Sequence, residues 1–158
     1  MGGLRDRLQP YALYVAWVAS LTATLGSLYL SEILGLIPCM LCWLQRIFMY
    51  PLAVILGIAA YRGDDGIAPY SLSLAGIGGS ISIYHYLLQK LPALQQAALC
   101  SGDVPCSDPH FNWLGFITIP FLALVAFAIV AACSWVVLGP APAAAGAGGD
   151  AAGREAGA

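Results

Sequence analysis

The chain alternates between four long uncharged stretches and short polar connections. No Asp, Glu, Lys or Arg falls in 8–31, 47–61, 66–89 or 109–149. A helix needs about 20 apolar residues to cross the hydrocarbon core of a bilayer. These stretches are apolar on all faces rather than along one stripe, as lipid-facing helices are. The pattern predicts spans near 11–30, 43–61, 69–88 and 114–138. The first is too long for the apolar region of a signal peptide and lacks a small-x-small cleavage site, so it is read as a retained span.

Three connections join the spans. Arg62 to Ala68 is a turn carrying Gly63, Asp64, Asp65 and Gly66. Ser31 to Cys42 links the first two spans, and Gln89 to Trp113 is the longest connection. Within it Leu91, Leu94, Ala98 and Leu99 recur at roughly helical spacing around Gln95 and Gln96, which predicts a short helix in the membrane interface. His110, Trp113 and the tyrosines near span ends suit the interfacial aromatic belt. The expected fold is an all-α membrane protein, a bundle of four transmembrane helices with a short interfacial helix in the second exterior loop.

Composition agrees: 60% of the 158 residues are apolar and 9% charged, against about a quarter charged in soluble domains. The net charge of −2, with no basic stripe to neutralise phosphates, argues against a nucleic-acid partner. The first and third connections of a four-span chain emerge on the same side. Arg5, Arg7, Arg62 and Arg154 fall on the other side, and only Lys90 accompanies the cysteine-bearing loops outside the spans. The positive-inside rule then puts both termini in the cytoplasm and those loops outside. Three regions are expected: a cytoplasmic N-tail over 1–10, the membrane domain over 11–138, and an Ala/Gly/Pro-rich cytoplasmic tail over 139–158 that lacks the residues to build a core.

The five cysteines supply the candidate chemistry. Cys39 and Cys42 form a C-x-x-C where a loop enters the second span, and a helix N-terminus favours a thiolate. Arg46 lies one turn after Cys42, where a cation inside a span is costly and would further stabilise the Cys42 thiolate. Cys100 and Cys106 flank Gly102, Asp103 and Pro105, a turn whose ends can meet in a disulfide open to thiolate attack or serving as an inert staple. Both pairs are expected on the oxidising face, where disulfides persist. A zinc site of four thiolates fits poorly, because C-x₂-C with C-x₅-C departs from the usual zinc ribbon spacing; no metal is expected. Cys133, deep in the fourth span, reads as a small packing residue.

Several motifs occur in a specific order: Pro38-Cys39-Met40-Leu41-Cys42 followed by Arg46; Tyr84-His85-Tyr86-Leu87-Leu88-Gln89 ending the third span; the Cys100/Cys106 loop; and Trp113-Leu114-Gly115-Phe116 with Pro120 entering the fourth. From about Pro10 to Leu138 the chain resembles the disulfide bond formation protein B (DsbB) family, more closely its shorter BdbC-type members. The resemblance implies an enzyme of the bacterial cytoplasmic membrane that reoxidises a DsbA-like, thioredoxin-fold thiol oxidase and delivers the electrons to a membrane quinone, ubiquinone or menaquinone. It implies catalytic roles for Cys39, Cys42, Cys100 and Cys106. Cys100 would be attacked by the partner, Cys39 would exchange with the loop pair, and Cys42 would face the quinone. Arg46 and His85 carry over as quinone-site residues. Their depths, about 6 and 7 Å below the exterior boundary at 1.5 Å per residue, predict that Cys42, Arg46 and His85 converge on one pocket. Cys100 and Cys106 are separated by only five residues, fewer than in longer family members.

Two other readings remain at this point. A vitamin K epoxide reductase-like protein would share the bundle and chemistry, but there the loop cysteines precede the membrane-proximal C-x-x-C. A non-enzymatic scaffold would hold structural disulfides that do not cycle.

Overall fold

A computed structural model of the chain describes residues 2–91, Cys106, 112–113 and 117–139, with backbone alone for 2–8, 112–113 and 117. Four long helices dominate: α1 (Gly2–Leu28), α2 (Met40–Arg62), α3 (Ala68–Lys90) and α4 (Ile119–Val137). Helix α1 runs through Pro10 and ends in a π turn, Tyr29–Ile33. A 3₁₀ turn, Asp65–Ile67, leads into α3. Two short strands, β1 (Asn112–Trp113) and β2 (Ile117–Thr118), pair antiparallel ahead of α4. The expected interfacial helix falls outside the described residues.

Local chemistry explains the helix ends. Gly63 closes α2 in the left-handed region at φ 64°, a conformation that glycine reaches without a Cβ penalty. The Asp64 carboxylate accepts from Gly66 N–H and turns the chain. Helix α4 begins at Ile119 rather than near 114: Ile117 and Thr118 are held in the strand pair, and Pro120 sits in the first turn, where its missing N–H costs nothing.

The helices follow one another round the bundle, each packed on its neighbours in sequence and α4 closing against α1. Buried Ala12, Leu13 and Ala16 of α1, Leu52 and Leu56 of α2, Ala75 of α3, and Phe127 and Val130 of α4 form the main core. Outward positions are apolar too, including Val15, Val18, Ile47, Val54, Ile58, Ile83, Val125 and Ile129. A surface of this kind belongs in lipid. By length and composition Gln9–Ile33, Met40–Arg62 and Ile119–Val137 can cross a membrane.

Helix α3 is less apolar because glycine and serine replace large side chains. Its hydroxyls are satisfied internally: Ser73 donates to Pro69 O, Ser80 to Gly76 O, and Ser82 to Gly78 O. Ser71 Oγ lies 2.7 Å from Ser134 Oγ and joins α3 to α4. Nearer the other end of that contact, the Phe127 ring sits directly over Gly78.

A methyl group at Gly78 would clash with Cε1 and Cζ of the Phe127 ring, whereas one at Gly76 meets nothing within 4 Å. Gly78→Ala is therefore expected to destabilise the bundle by about 1–3 kcal/mol, the usual range for overpacking, and Gly76→Ala to be near neutral. Thermal unfolding in detergent checks this, and equal behaviour of the two variants would contradict the packing.

Candidate active site

Helix α2 begins at Cys39. Cys39 has extended backbone (φ −70°, ψ 172°) and caps the helix, its Sγ accepting from Cys42 N–H at 3.4 Å. The cap brings the two sulfurs to 2.9 Å, both as free thiols. Cys39 is buried. Its thiol is pulled down to about 4, first by hydrogen bonding with the Cys42 thiol and then by the His85 ring, while burial opposes both. Cys39, rather than Cys42 as expected from Arg46 one turn below it, is thus the thiolate of the pair.

His85 reaches this site from α3. Its Nε2 lies 3.7 Å from Cys39 Sγ, and its Nδ1 is buried without a hydrogen-bond partner. His85 is on the inward row of α3 with Ser82 and Leu88. Leu88, Leu41, Cys39 and Cys106 pack together in a second buried cluster. Cys106 is disulfide-bonded; Cys100 lies outside the described residues. The donor atoms of Cys39, Cys42 and His85 fall within 4.8 Å of one another, which also suits a soft metal. Two thiolates on tetrahedral zinc stand about 3.8 Å apart, however, and the 2.9 Å sulfur separation favours a dithiol poised to form a disulfide.

On its other side the pair opens into a cleft of about 870 Å³ including its mouth. The walls come from α1, α2, α4 and the loop before α2, and are mostly apolar, with Cys42, Arg46, Gln45, Ser27 and Tyr50 as polar members. Arg46 donates from Nε to Ser27 Oγ at 2.8 Å and from Nη2 to Ser27 O at 3.0 Å. Its guanidinium also lies 5.3 Å from the Trp43 ring centroid, within cation–π range. Gln45 is buried and donates to Ser82 Oγ at 3.1 Å, tying α2 to α3.

Cys42 and Arg46 thus share one cleft, while His85 stands outside its lining and against Cys39. Cys133 is far along α4, packed on the main core as a free thiol. Sequence reasoning passed over Ser27, Gln45 and Tyr50. Gln45 carried a signal, an amide inside a span beside an arginine; Ser27 and Tyr50 carried none.

A dithiol at a helix start, beside a disulfide-bonded cysteine in an apolar bundle, defines a membrane thiol–disulfide oxidoreductase. The family model for Disulfide bond formation protein DsbB matches residues 9–137, and the chain belongs to this family. It is 54% identical over 134 residues to "Probable disulfide formation protein C 1" of Bacillus anthracis, covering 85% of this chain and 96% of that protein. It is 57% identical over 118 residues to "Disulfide bond formation protein C" of Bacillus subtilis (75% and 86% coverage). It is also 48% identical over 124 residues to a "Probable disulfide formation protein" of Coxiella burnetii (78% and 84% coverage). No solved structure matches significantly.

The depressed Cys39 value sets a pH dependence. In the reduced protein the thiolate persists at neutral pH, so alkylation of Cys39 should fall only as pH drops through about 4. Cys42→Ala should move that midpoint upward most, and His85→Ala upward by less, following the order of the causes. Rates of iodoacetamide labelling against pH check both; a parent midpoint near the ordinary thiol range of about 8.5 would contradict the assignment.

Proposed function

We propose that the protein reoxidises a DsbA-like, thioredoxin-fold thiol oxidase outside the cytoplasm and passes the electrons to a membrane quinone, either ubiquinone or menaquinone. The observation that carries this reading is the position of the dithiol between two surroundings: Cys39 packs with Cys106, and Cys42 lines an apolar cleft with Arg46. The cleft's apolar walls and few polar groups suit a quinone head group, since ligand pockets are mostly apolar with a small number of placed polar groups.

The route balances in thiols. A thiolate of the reduced partner attacks Cys100 and breaks a Cys100–Cys106 disulfide; the partner's second thiol resolves the mixed disulfide and leaves the loop pair reduced. The Cys106 thiolate then attacks Cys39 and releases Cys42 from a Cys39–Cys42 disulfide. Cys100 next attacks Cys106, which restores the loop bridge and leaves Cys39 and Cys42 reduced. The common burial of Cys106 and Cys39 supports the exchange despite the short loop. The quinone supplies a two-electron, two-proton acceptor for the dithiol. Arg46 holds a positive charge beside Cys42 for a carbonyl oxygen gaining electron density. His85, 3.7 Å from Cys39 Sγ, takes and returns the proton of that thiol.

The membrane arrangement follows. Helix α3 is the remaining span, its serine hydroxyls bonded back to the preceding turn so that these hydroxyls ask nothing of the lipid. With four spans, both cysteine pairs face the exterior and both termini the cytoplasm, the residues from 139 onward forming a cytoplasmic tail.

Anaerobic mixing of the purified protein with a reduced DsbA-like partner and a quinone tests the reading. One quinone should be reduced per partner disulfide formed. Cys100→Ser and Cys106→Ser should each abolish partner oxidation, and Cys133→Ala should leave the rate within about twofold, as a packing residue does. Partner oxidation without quinone reduction, or equal loss in Cys133→Ala and Cys100→Ser, would contradict it.

A further inference from the structure

Among the described residues, nothing of opposite charge meets Arg46 in the cleft wall. Among the described residues its polar contacts are Ser27 Oγ, Ser27 O and the Trp43 ring, all uncharged. Among these residues Ser27 alone fixes the guanidinium by hydrogen bonds, from a neighbouring helix 19 positions earlier in the chain. The two bonds are parallel donors from Nε and Nη2, the fork geometry that makes an arginine directional.

The backbone of α1 is adapted at the same point. Two residues after Ser27 the helix widens into the π turn Tyr29–Ile33, a feature that recurs at functional sites. The Ser31 hydroxyl also donates to Ser27 O at 3.2 Å. On the far side of Ser27 the Tyr50 hydroxyl stands 3.4 Å from its Oγ. Ser27, Arg46 and Tyr50 all line the cleft.

We infer that Ser27 is a positioning residue for the quinone site: it anchors Arg46 by its hydroxyl and its carbonyl so that the remaining guanidinium donors serve the cleft beside Cys42. The inference rests on the proposed quinone reading of that cleft. A neutral anchor matters as much as a fixed one. A carboxylate at position 27 would pair with Arg46 and cancel the charge, whereas serine holds the geometry and leaves the charge for the acceptor. Without the hydroxyl, the Nε–H donor loses its partner in an apolar wall and the side chain is released toward Trp43 or the membrane interface.

The test uses the full chain in detergent with a decyl-tailed benzoquinone. Two readouts are taken: equilibrium affinity for the oxidised protein, and the Nε resonance of Arg46 in ¹⁵N-arginine-labelled protein without quinone. Ser27→Ala should weaken quinone binding about tenfold, the scale of one charge-assisted hydrogen bond. The KM for quinone should rise by a similar factor with a smaller change in kcat, and the Nε–H should exchange with solvent faster than in the parent. Ser27→Thr, which keeps the hydroxyl, should restore both readouts. If Arg46→Ala leaves quinone affinity at the parent value, the cleft is not the quinone site. If Arg46→Ala weakens binding while Ser27→Ala moves neither affinity nor the Nε resonance, the cleft stands and the positioning role of Ser27 is overturned.

Discussion

The redox end of the molecule depends on how α2 starts. Cys39 takes the capping position with its backbone extended, and the cap bond from Cys42 N–H both begins the helix and draws the two sulfurs together. A helix N-terminus leaves N–H groups without intrahelical partners, and here a sulfur meets one of them. One local interaction therefore sets the helix boundary and the sulfur spacing, and the Cys42 thiol it brings close is the first cause of the low Cys39 thiol value. Had a serine or aspartate capped α2, the helix would begin equally well without redox chemistry.

The two sulfurs lie 2.9 Å apart on one face of the helix start, but their surroundings differ. Cys39 meets α3 through His85 and the buried group of Leu88 and Cys106. Cys42 meets the cleft between α1, α2 and α4 with Arg46 one turn deeper. In the proposed route, thiol exchange belongs to the first direction and electron delivery to the second. The main core, with Phe127 seated on Gly78 and Ser71 against Ser134, holds α3 and α4 in fixed register below. Gln45 to Ser82 ties α2 to α3 beneath the sulfurs.

Much of this was legible in the sequence for physical reasons that can be named. Apolar runs without charge mark helices, and the C-x-x-C at the head of one marks a dithiol. The start of α4 was less legible, because 114–118 is as apolar as a helix and only the strand pair and Pro120 delay it. His85 shows the limit more sharply. Counting residues along a helix gives depth but not the direction a side chain faces, so equal depths of Arg46 and His85 suggested one pocket. The inward row of α3 turns His85 to Cys39 instead, and the cleft opens on the side of α1 and α4. Ser27 was hidden for a different reason: a lone serine in an apolar run has no signature until a partner from another helix is known.

The central claim is that electrons leave through Cys42 into the cleft bounded by α1, α2 and α4. A photoreactive azido-quinone, activated on the oxidised protein and followed by peptide mapping, tests it directly. The account expects labelling on the cleft walls, at Leu30, Leu36 to Pro38, Met49 and Leu122, with excess unmodified quinone suppressing it. Competable labelling concentrated on α3 around His85, with the α1 and α4 walls unmarked, would contradict it.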